Sequence, residues 1–162
     1  MITCVYPDGV KTHLRHVSVG TILLDRERTK VLLVKRSPQS HVEPNKLDIP
    51  GGNMDLNETT KETALREIRE ETGYEATIID LFCINDIPNN REERQNVEFI
   101  YLAEIADKIG ESDRETTEAV WFDWDSIPSE DEIAFNRYKD LQLYQEYRKK
   151  EFTLPYVRSM HT

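Results

Sequence analysis

The fold of this chain is decided by the segment GGNMDLNETTKETALREIREETGY, which occupies residues 51–74. Asn57, Thr59 and Thr60 all have side chains that can cap the start of an α-helix. Gly73 stands where helices commonly end in the left-handed conformation. We therefore predict a helix over residues 58–72.

Three glutamates of this helix, Glu67, Glu70 and Glu71, share one face, because an α-helix turns by about 100° per residue. Such like charges repel one another, and a bound cation reverses that repulsion. Carboxylate oxygens suit Mg²⁺ or Mn²⁺ better than zinc. A solvated acidic surface would carry the same charges. However, the Ile-Pro-Gly-Gly turn at residues 49–52 lets backbone carbonyls approach a metal or a phosphate closely. The segment therefore predicts a divalent metal site.

The same segment resembles the Nudix box, which reads G, five residues, E, seven residues, then R-E-U-x-E-E-x-G-U with U a bulky aliphatic residue. The matching positions are Gly52, Glu58, Arg66, Glu67, Ile68, Glu70, Glu71 and Gly73. Tyr74 replaces the last aliphatic residue. The resemblance implies an α/β chain with the Nudix fold, a mixed β-sheet sandwiched between α-helices. It also implies a hydrolase that uses Mg²⁺, or Mn²⁺ in its place, to cleave a diphosphate linkage in a nucleoside diphosphate derivative.

Roles for the site residues follow from their positions in the box. The resemblance implies that Glu70 and Glu71 are metal ligands, with the carbonyl of Gly51 as a backbone contributor. It implies that Glu67 is either a third ligand or the general base. Arg66 is expected to orient these carboxylates rather than to touch the substrate. No substrate-binding residue is assigned.

Four further residues have less certain roles. Glu58 is expected to cap the helix and to support the site from a distance. Some family members draw another carboxylate from the loop before a late strand, where Glu115, favoured here, and Glu118 are the candidates; a solvated loop charge explains either equally well. Arg36 is either a surface residue or a phosphate contact.

Composition narrows the class of protein. The 162 residues suit one domain, residues 1–162, with its core over about 14–149. A formal charge of −10 argues against a surface that coats nucleic acid. Cys4 and Cys83 are too few for a disulfide framework or a zinc site. Without a signal-type or membrane-length apolar run, we expect a cytoplasmic protein with no membrane partner that binds a small-molecule nucleotide. Whether it forms a homodimer is left open.

Hydrophobic patterning predicts the remaining elements. Strands are expected over 14–24, 30–35, 47–49, 76–84, 96–105 and 119–124, and a last helix over 130–149. The strand at 96–105 is apolar on both faces, which predicts a sheet covered on both sides. The last helix is expected to pack through Ile133, Phe135, Tyr138, Leu141, Leu143 and Tyr144. The loops at 37–46, 85–95 and 106–117 are expected to determine the substrate.

The substrate itself is only indicated. Residues 133–137, IAFNR, resemble the AFDH segment of some ADP-ribose-type members, with Asn136 and Arg137 in place of the acid and the histidine. This favours ADP-ribose or a nucleotide sugar over an oxidised nucleoside triphosphate. A non-catalytic nucleotide-sensing module is a competing class of protein, and an isopentenyl diphosphate isomerase is a third class. The isomerase depends on a cysteine- and histidine-rich site that this sequence does not obviously supply.

Overall fold

The structure is a computed structural model that describes residues 3–5, 7–9, 11–13, 16–89, 94–110 and 116–159. In this part of the chain the strands are β1 (Thr3–Val5), β2 (Lys11–His13), β3 (His16–Leu24), β4 (Lys30–Arg36), β5 (Leu47–Asp48), β6 (Gly51–Asn53), β7 (Tyr74–Asn89), β8 (Arg94–Lys108), β9 (Thr116–Asp123) and β10 (Tyr156–Ser159). The α-helices are α1 (Thr60–Thr72) and α2 (Arg137–Lys149).

Eight of the strands form one mixed sheet in the order β10-β7-β8-β3-β4-β5, with β6 paired to β3 and β9 paired to β4. β3 lies at its centre, parallel to β8 and antiparallel to β4 and β6. β1 and β2 form a separate antiparallel pair. The register between β3 and β6 sets Gly20 opposite Gly51, which brings the turn before α1 to the middle of the sheet.

Both faces of this sheet are covered by helices. Leu23 of β3 belongs to a buried cluster with Ile68 of α1. Its neighbours Ile22 and Leu24 belong to a different cluster, which contains Leu141 of α2. Because successive side chains of a strand point to opposite faces, α1 and α2 pack on opposite sides of the sheet. The predicted mixed sheet between helices is therefore confirmed.

The loop predicted over residues 85–95 is wrong for most of its length. β7 continues to Asn89 and β8 begins at Arg94, and the two strands pair up to that end. Residues 90–93 lie outside the described part. The prediction failed because it treated polar residues as loop residues. Asn85 is polar but completely buried, since its amide donates to carboxylates of Glu98 and Asp140 at 3.3 and 3.2 Å.

The last helix begins later than predicted. Residues 130–132 form only a short 3₁₀ turn, and α2 starts at Arg137. Phe135 separates them with a φ of +53°, which is incompatible with a right-handed helix. Its side chain is 47% exposed rather than packed in the core as predicted.

The tail after α2, for which hydrophobic patterning predicted no element, contains a strand. β10 pairs in parallel with β7 along residues 83–86 and forms one edge of the sheet. Four residues are too few to show a periodicity, so the sequence carried no signal for it. No helix in the described residues is both long and apolar enough to cross a membrane.

Candidate active site

Local chemistry fixes both ends of α1. The hydroxyl of Thr59 accepts from the amide of Glu62 at 3.2 Å, and the Glu62 carboxylate accepts from the amide of Thr59 at 2.8 Å. This reciprocal pair is a capping box. At the other end, Gly73 has a φ of +71° and its amide donates to the carbonyl of Arg69. The predicted helix is confirmed, with its first residue at Thr60 rather than at 58.

The glycine turn is pressed against α1 on one side and β3 on the other. The amide of Gly51 donates to Glu71 Oε2 at 2.8 Å. A Cβ on Gly51 would lie 2.2 Å from the carbonyl oxygen of Val19, which is backbone and cannot move aside. A Cβ on Gly52 would lie 2.4 Å from Glu67 Oε1. Position 51 therefore requires glycine, whereas a side chain at position 52 would displace the Glu67 carboxylate, so the turn lies directly beside the carboxylates of α1.

Arg66 holds three of the glutamates highlighted by the sequence. Its guanidinium donates to Glu58 Oε1 at 2.8 Å, to Glu67 Oε1 at 2.8 Å and to Glu70 Oε2 at 3.0 Å. A fourth bond, at 3.1 Å, reaches the carbonyl of Asn53 in β6. One arginine thus joins two carboxylates of α1 to Glu58 before the helix and to β6, the strand that contains both glycines.

Arg66 and Glu58 stabilise each other in their charged forms. Hydrogen bonding to Arg66 lowers the pKa of Glu58 to about 2, with smaller contributions from the Thr63 hydroxyl and the amide of Asp55. The same bond to Glu58, and the charge of Glu67, raise the pKa of Arg66. Glu58 therefore links the loop before α1 to the arginine.

The donors at this site fit a hard divalent cation by their chemistry. Glu67, Glu70 and Glu71 offer carboxylate oxygens, and the turn at Gly51 offers a backbone carbonyl, which are the ligands that Mg²⁺ and Mn²⁺ prefer. In the part of the chain that the structure describes, no three acidic, histidine or cysteine side chains already converge on one point that could hold a metal ion. Glu67 and Glu70 instead pair with Arg66, and Glu71 accepts from Gly51.

Three residues from the sequence analysis remain, namely Glu115, Glu118 and Arg36. Glu118 is exposed on β9, and Glu115 lies outside the described residues. Arg36 is neither a free surface arginine nor aimed at the helix carboxylates. It donates to Asp48 Oδ2 at 3.1 Å and twice to the carbonyl of Val42, at 3.0 and 3.3 Å.

A buried charge network around Arg137 was not predicted. In the sequence comparison Arg137 takes the place of the histidine in the AFDH segment of some ADP-ribose-type members. In the structure its side chain is buried. Its Nε donates to Asp48 Oδ1 at 3.1 Å, and its two terminal nitrogens donate to both oxygens of Glu98. Asp140 lies 3.5 Å from the same guanidinium. The sequence offered one indication of this network, which is the aspartate at position 48 between the apolar residues Leu47 and Ile49.

Burial and pairing pull the pKa values in this network in opposite directions. Burial raises the pKa of Asp48 and of Asp140. Burial also opposes the charge of Glu98, but the Arg137 guanidinium outweighs it and holds the pKa of that carboxyl below its usual value. Burial works against the charge of Arg137 too, yet Glu98 and Asp48 raise its pKa well above the ordinary value.

Comparison with known proteins identifies the family. The family model described as NUDIX domain matches residues 14–144. An ADP-ribose pyrophosphatase from Methanocaldococcus jannaschii is 23% identical over 133 residues, which are 82% of this chain and 76% of that protein. An 8-oxo-dGTP diphosphatase from Escherichia coli is 26% identical over 69 residues, so the match spans 43% of this chain and about half, 53%, of that protein. A crystal structure of a NUDIX hydrolase from Nitrosomonas europaea has a TM-score of 0.77 at 25% identity, covering 98% of this chain and 86% of that one. Since the family model matches most of the chain, the protein belongs to the Nudix family and is a Nudix hydrolase.

Proposed function

We propose that the protein is a Mg²⁺-dependent pyrophosphohydrolase that cleaves the diphosphate linkage of a nucleoside diphosphate derivative. The observation that carries this proposal is the contact between the glycine turn and the helix carboxylates. Gly51 donates to Glu71 at 2.8 Å, and a side chain at position 52 would displace the Glu67 carboxylate. Nudix hydrolases generally use divalent metals.

Each residue of the site is assigned a role in the reaction. Glu70, Glu71 and the carbonyl of Gly51 would hold the metal ion. When bound, the ion supplies positive charge that neutralises the phosphoryl oxygens. Glu67 would serve either as a third ligand or as the general base that takes a proton from the attacking water.

Arg66 acts as a positioning residue. It bonds Glu67 and Glu70 at 2.8 and 3.0 Å, and its raised pKa keeps it cationic. Its hydrogen bond to the carbonyl of Asn53 joins the helix to β6, the strand that contains both glycines. Because Arg66 bonds the carboxylates of Glu67 and Glu70 and also the backbone of β6, these carboxylates move less before the substrate binds.

ADP-ribose or a nucleotide sugar is the favoured substrate class. The relative named ADP-ribose pyrophosphatase matches over 76% of its length, whereas the relative named 8-oxo-dGTP diphosphatase matches over 53%. The longer match supports the first class, and an oxidised nucleoside triphosphate is the second candidate.

A substrate panel with a matched pair of variants tests the proposal. ADP-ribose, nucleotide sugars, diadenosine polyphosphates and 8-oxo-dGTP are incubated with Mg²⁺, with Mn²⁺ and with EDTA, and the products are separated by chromatography. We expect ADP-ribose to give AMP and ribose 5-phosphate only when a metal is present. Glu67→Gln should lower turnover by about 10²–10⁴-fold. Glu146→Gln makes the same chemical change on the exposed side of α2 and should leave turnover intact. Equal turnover with EDTA would overturn the proposal.

A further inference from the structure

The buried network around Arg137 contacts β5, the strand that leads into the glycine turn. Asp48, the last residue of β5, accepts from two arginines. Arg36 donates to its Oδ2 and Arg137 to its Oδ1, both at 3.1 Å. The side chain of Asp48 is only 9% exposed, so water competes little with these bonds. Each oxygen of this carboxylate is therefore held by a different guanidinium group.

The two residues between Asp48 and Gly51 are both held in place. Ile49 is buried in the core. The carbonyl of Pro50 accepts from the amide of Thr21 on β3 at 2.8 Å. A closely packed protein interior transmits a displacement rather than absorbing it. A shift of Asp48 should therefore move Gly51 as well.

The same network also reaches the residues that follow the turn. The two terminal nitrogens of Arg137 donate to both carboxylate oxygens of Glu98 on β8. One of these oxygens, Oε1, accepts from the hydroxyl of Ser18 at 3.4 Å. Ser18 is the partner of Asn53 in the register between β3 and β6. Arg137 thus joins β5, before the turn, to the part of β3 that pairs just after it.

We propose that Asp48, held by Arg36 and Arg137, is a positioning residue that fixes the glycine turn against the carboxylates of α1. This inference rests on the proposed function, in which the carbonyl of Gly51 is a metal ligand. The helix that carries Arg137, α2, packs on the opposite side of the sheet from α1, so the turn is held from both sides. Residues that orient the ligands of a metal site set its affinity without touching the ion. Asp48 therefore governs metal binding without being a ligand.

Hydrogen exchange at the amide of Gly51 tests this positioning without metal or turnover. This amide donates to Glu71, and its exchange rate is measured by NMR, in which the six glycines of the chain give few signals to assign. Asp48→Asn keeps the shape of the side chain and removes its charge. We expect Gly51 to exchange at least about tenfold faster in this variant. The amide of Gly73, which donates to the carbonyl of Arg69 at the end of α1, should keep its wild-type rate.

Arg158→Met is the matched control because it removes one charge from the same network, far from the turn. Arg158 bonds Asp140 at 3.1 Å and lies in β10, at the opposite end of the strand order from β5. This variant should leave the exchange of Gly51 unchanged. The affinity for Mn²⁺, measured from the electron paramagnetic resonance signal of the free ion, should fall by about 10–100-fold in Asp48→Asn and stay at the wild-type value in Arg158→Met.

Several results would overturn the inference. One is a wild-type exchange rate for Gly51 in Asp48→Asn, and another is a wild-type affinity for Mn²⁺ in that variant. Equal acceleration at Gly73, or at Gly51 in Arg158→Met, would also overturn it, because the fold would then be loosened as a whole. A wild type that neither binds Mn²⁺ nor hydrolyses any substrate would instead contradict the proposed function, and the exchange rates would still decide whether Asp48 fixes the turn.

Discussion

Replacing Arg137 by methionine should cost a large part of the stability of this fold. Asp48 and Asp140 would each retain an arginine, Arg36 and Arg158 respectively, both at 3.1 Å. Glu98 would not, because Arg137 is its only arginine or lysine partner among the described residues. Removing one partner of a buried ion pair costs about 3–5 kcal/mol, since it leaves the other charge buried and uncompensated.

Denaturation in guanidinium chloride measures this loss directly. At about 2–4 °C per kcal/mol for a chain of this size, the melting temperature should also fall by about 6–20 °C. Adding Glu98→Gln to Arg137→Met removes the orphaned charge and should recover much of the loss. Arg69→Met serves as the matched control because it breaks only a solvent-exposed pair with Glu75 and should change the free energy of unfolding little.

Two results would refute this reasoning. One is a free energy of unfolding for Arg137→Met that lies within about 1 kcal/mol of the wild type, as for an exposed pair. The other is a double variant with Glu98→Gln that is no more stable than Arg137→Met alone. Either result would mean that the network is not the desolvated ion cluster that its burial indicates.

The glycine turn and Glu58 support three further predictions. Gly51→Ala should destabilise the fold by about 1–3 kcal/mol or more in chemical denaturation, because its Cβ would meet the backbone of Val19; an unchanged midpoint would contradict this. Gly52→Ala should instead lower turnover by about 10²-fold with little change in stability, because its Cβ displaces only the carboxylate of Glu67; normal kinetics would exclude a site role for that contact. The pKa of Glu58 is lowered from 4.5 to about 2, so its stabilising effect is complete above pH 4.5 and disappears as the pH falls towards 2. The difference in melting temperature between wild type and Glu58→Gln should shrink over that interval, and a constant difference would refute the assignment.

The predictions that succeeded from sequence alone depended on local chemistry. α1 was predicted almost to the residue because its cap, its C-terminal glycine and its charge spacing all lie within 15 residues. The apolar residues on both faces of residues 96–105, within β8, likewise predicted the sheet that is covered on both sides.

The predictions that failed depended on partners far along the chain. Arg137 is buried because it meets Asp48 and Glu98, which are 89 and 39 residues away in sequence. The end of β7 was missed because the polar Asn85 is buried against Asp140, 55 residues away in sequence. The edge strand β10 pairs with residues 83–86 of β7, which lie far earlier in the chain. The exposed, left-handed Phe135 depends on contacts with the loop around Glu43, so the sequence could only assign it to the core.

The central claim is that the α1 carboxylates perform metal-dependent hydrolysis of a nucleoside diphosphate derivative. Its most direct test is the rate at which AMP forms from ADP-ribose, measured for the wild type, Glu67→Gln and Glu146→Gln across a Mg²⁺ titration. We predict turnover that rises with Mg²⁺ in the wild type and in Glu146→Gln, and that falls by about 10²–10⁴-fold in Glu67→Gln. Equal turnover in Glu67→Gln and the wild type at saturating Mg²⁺ would contradict the claim.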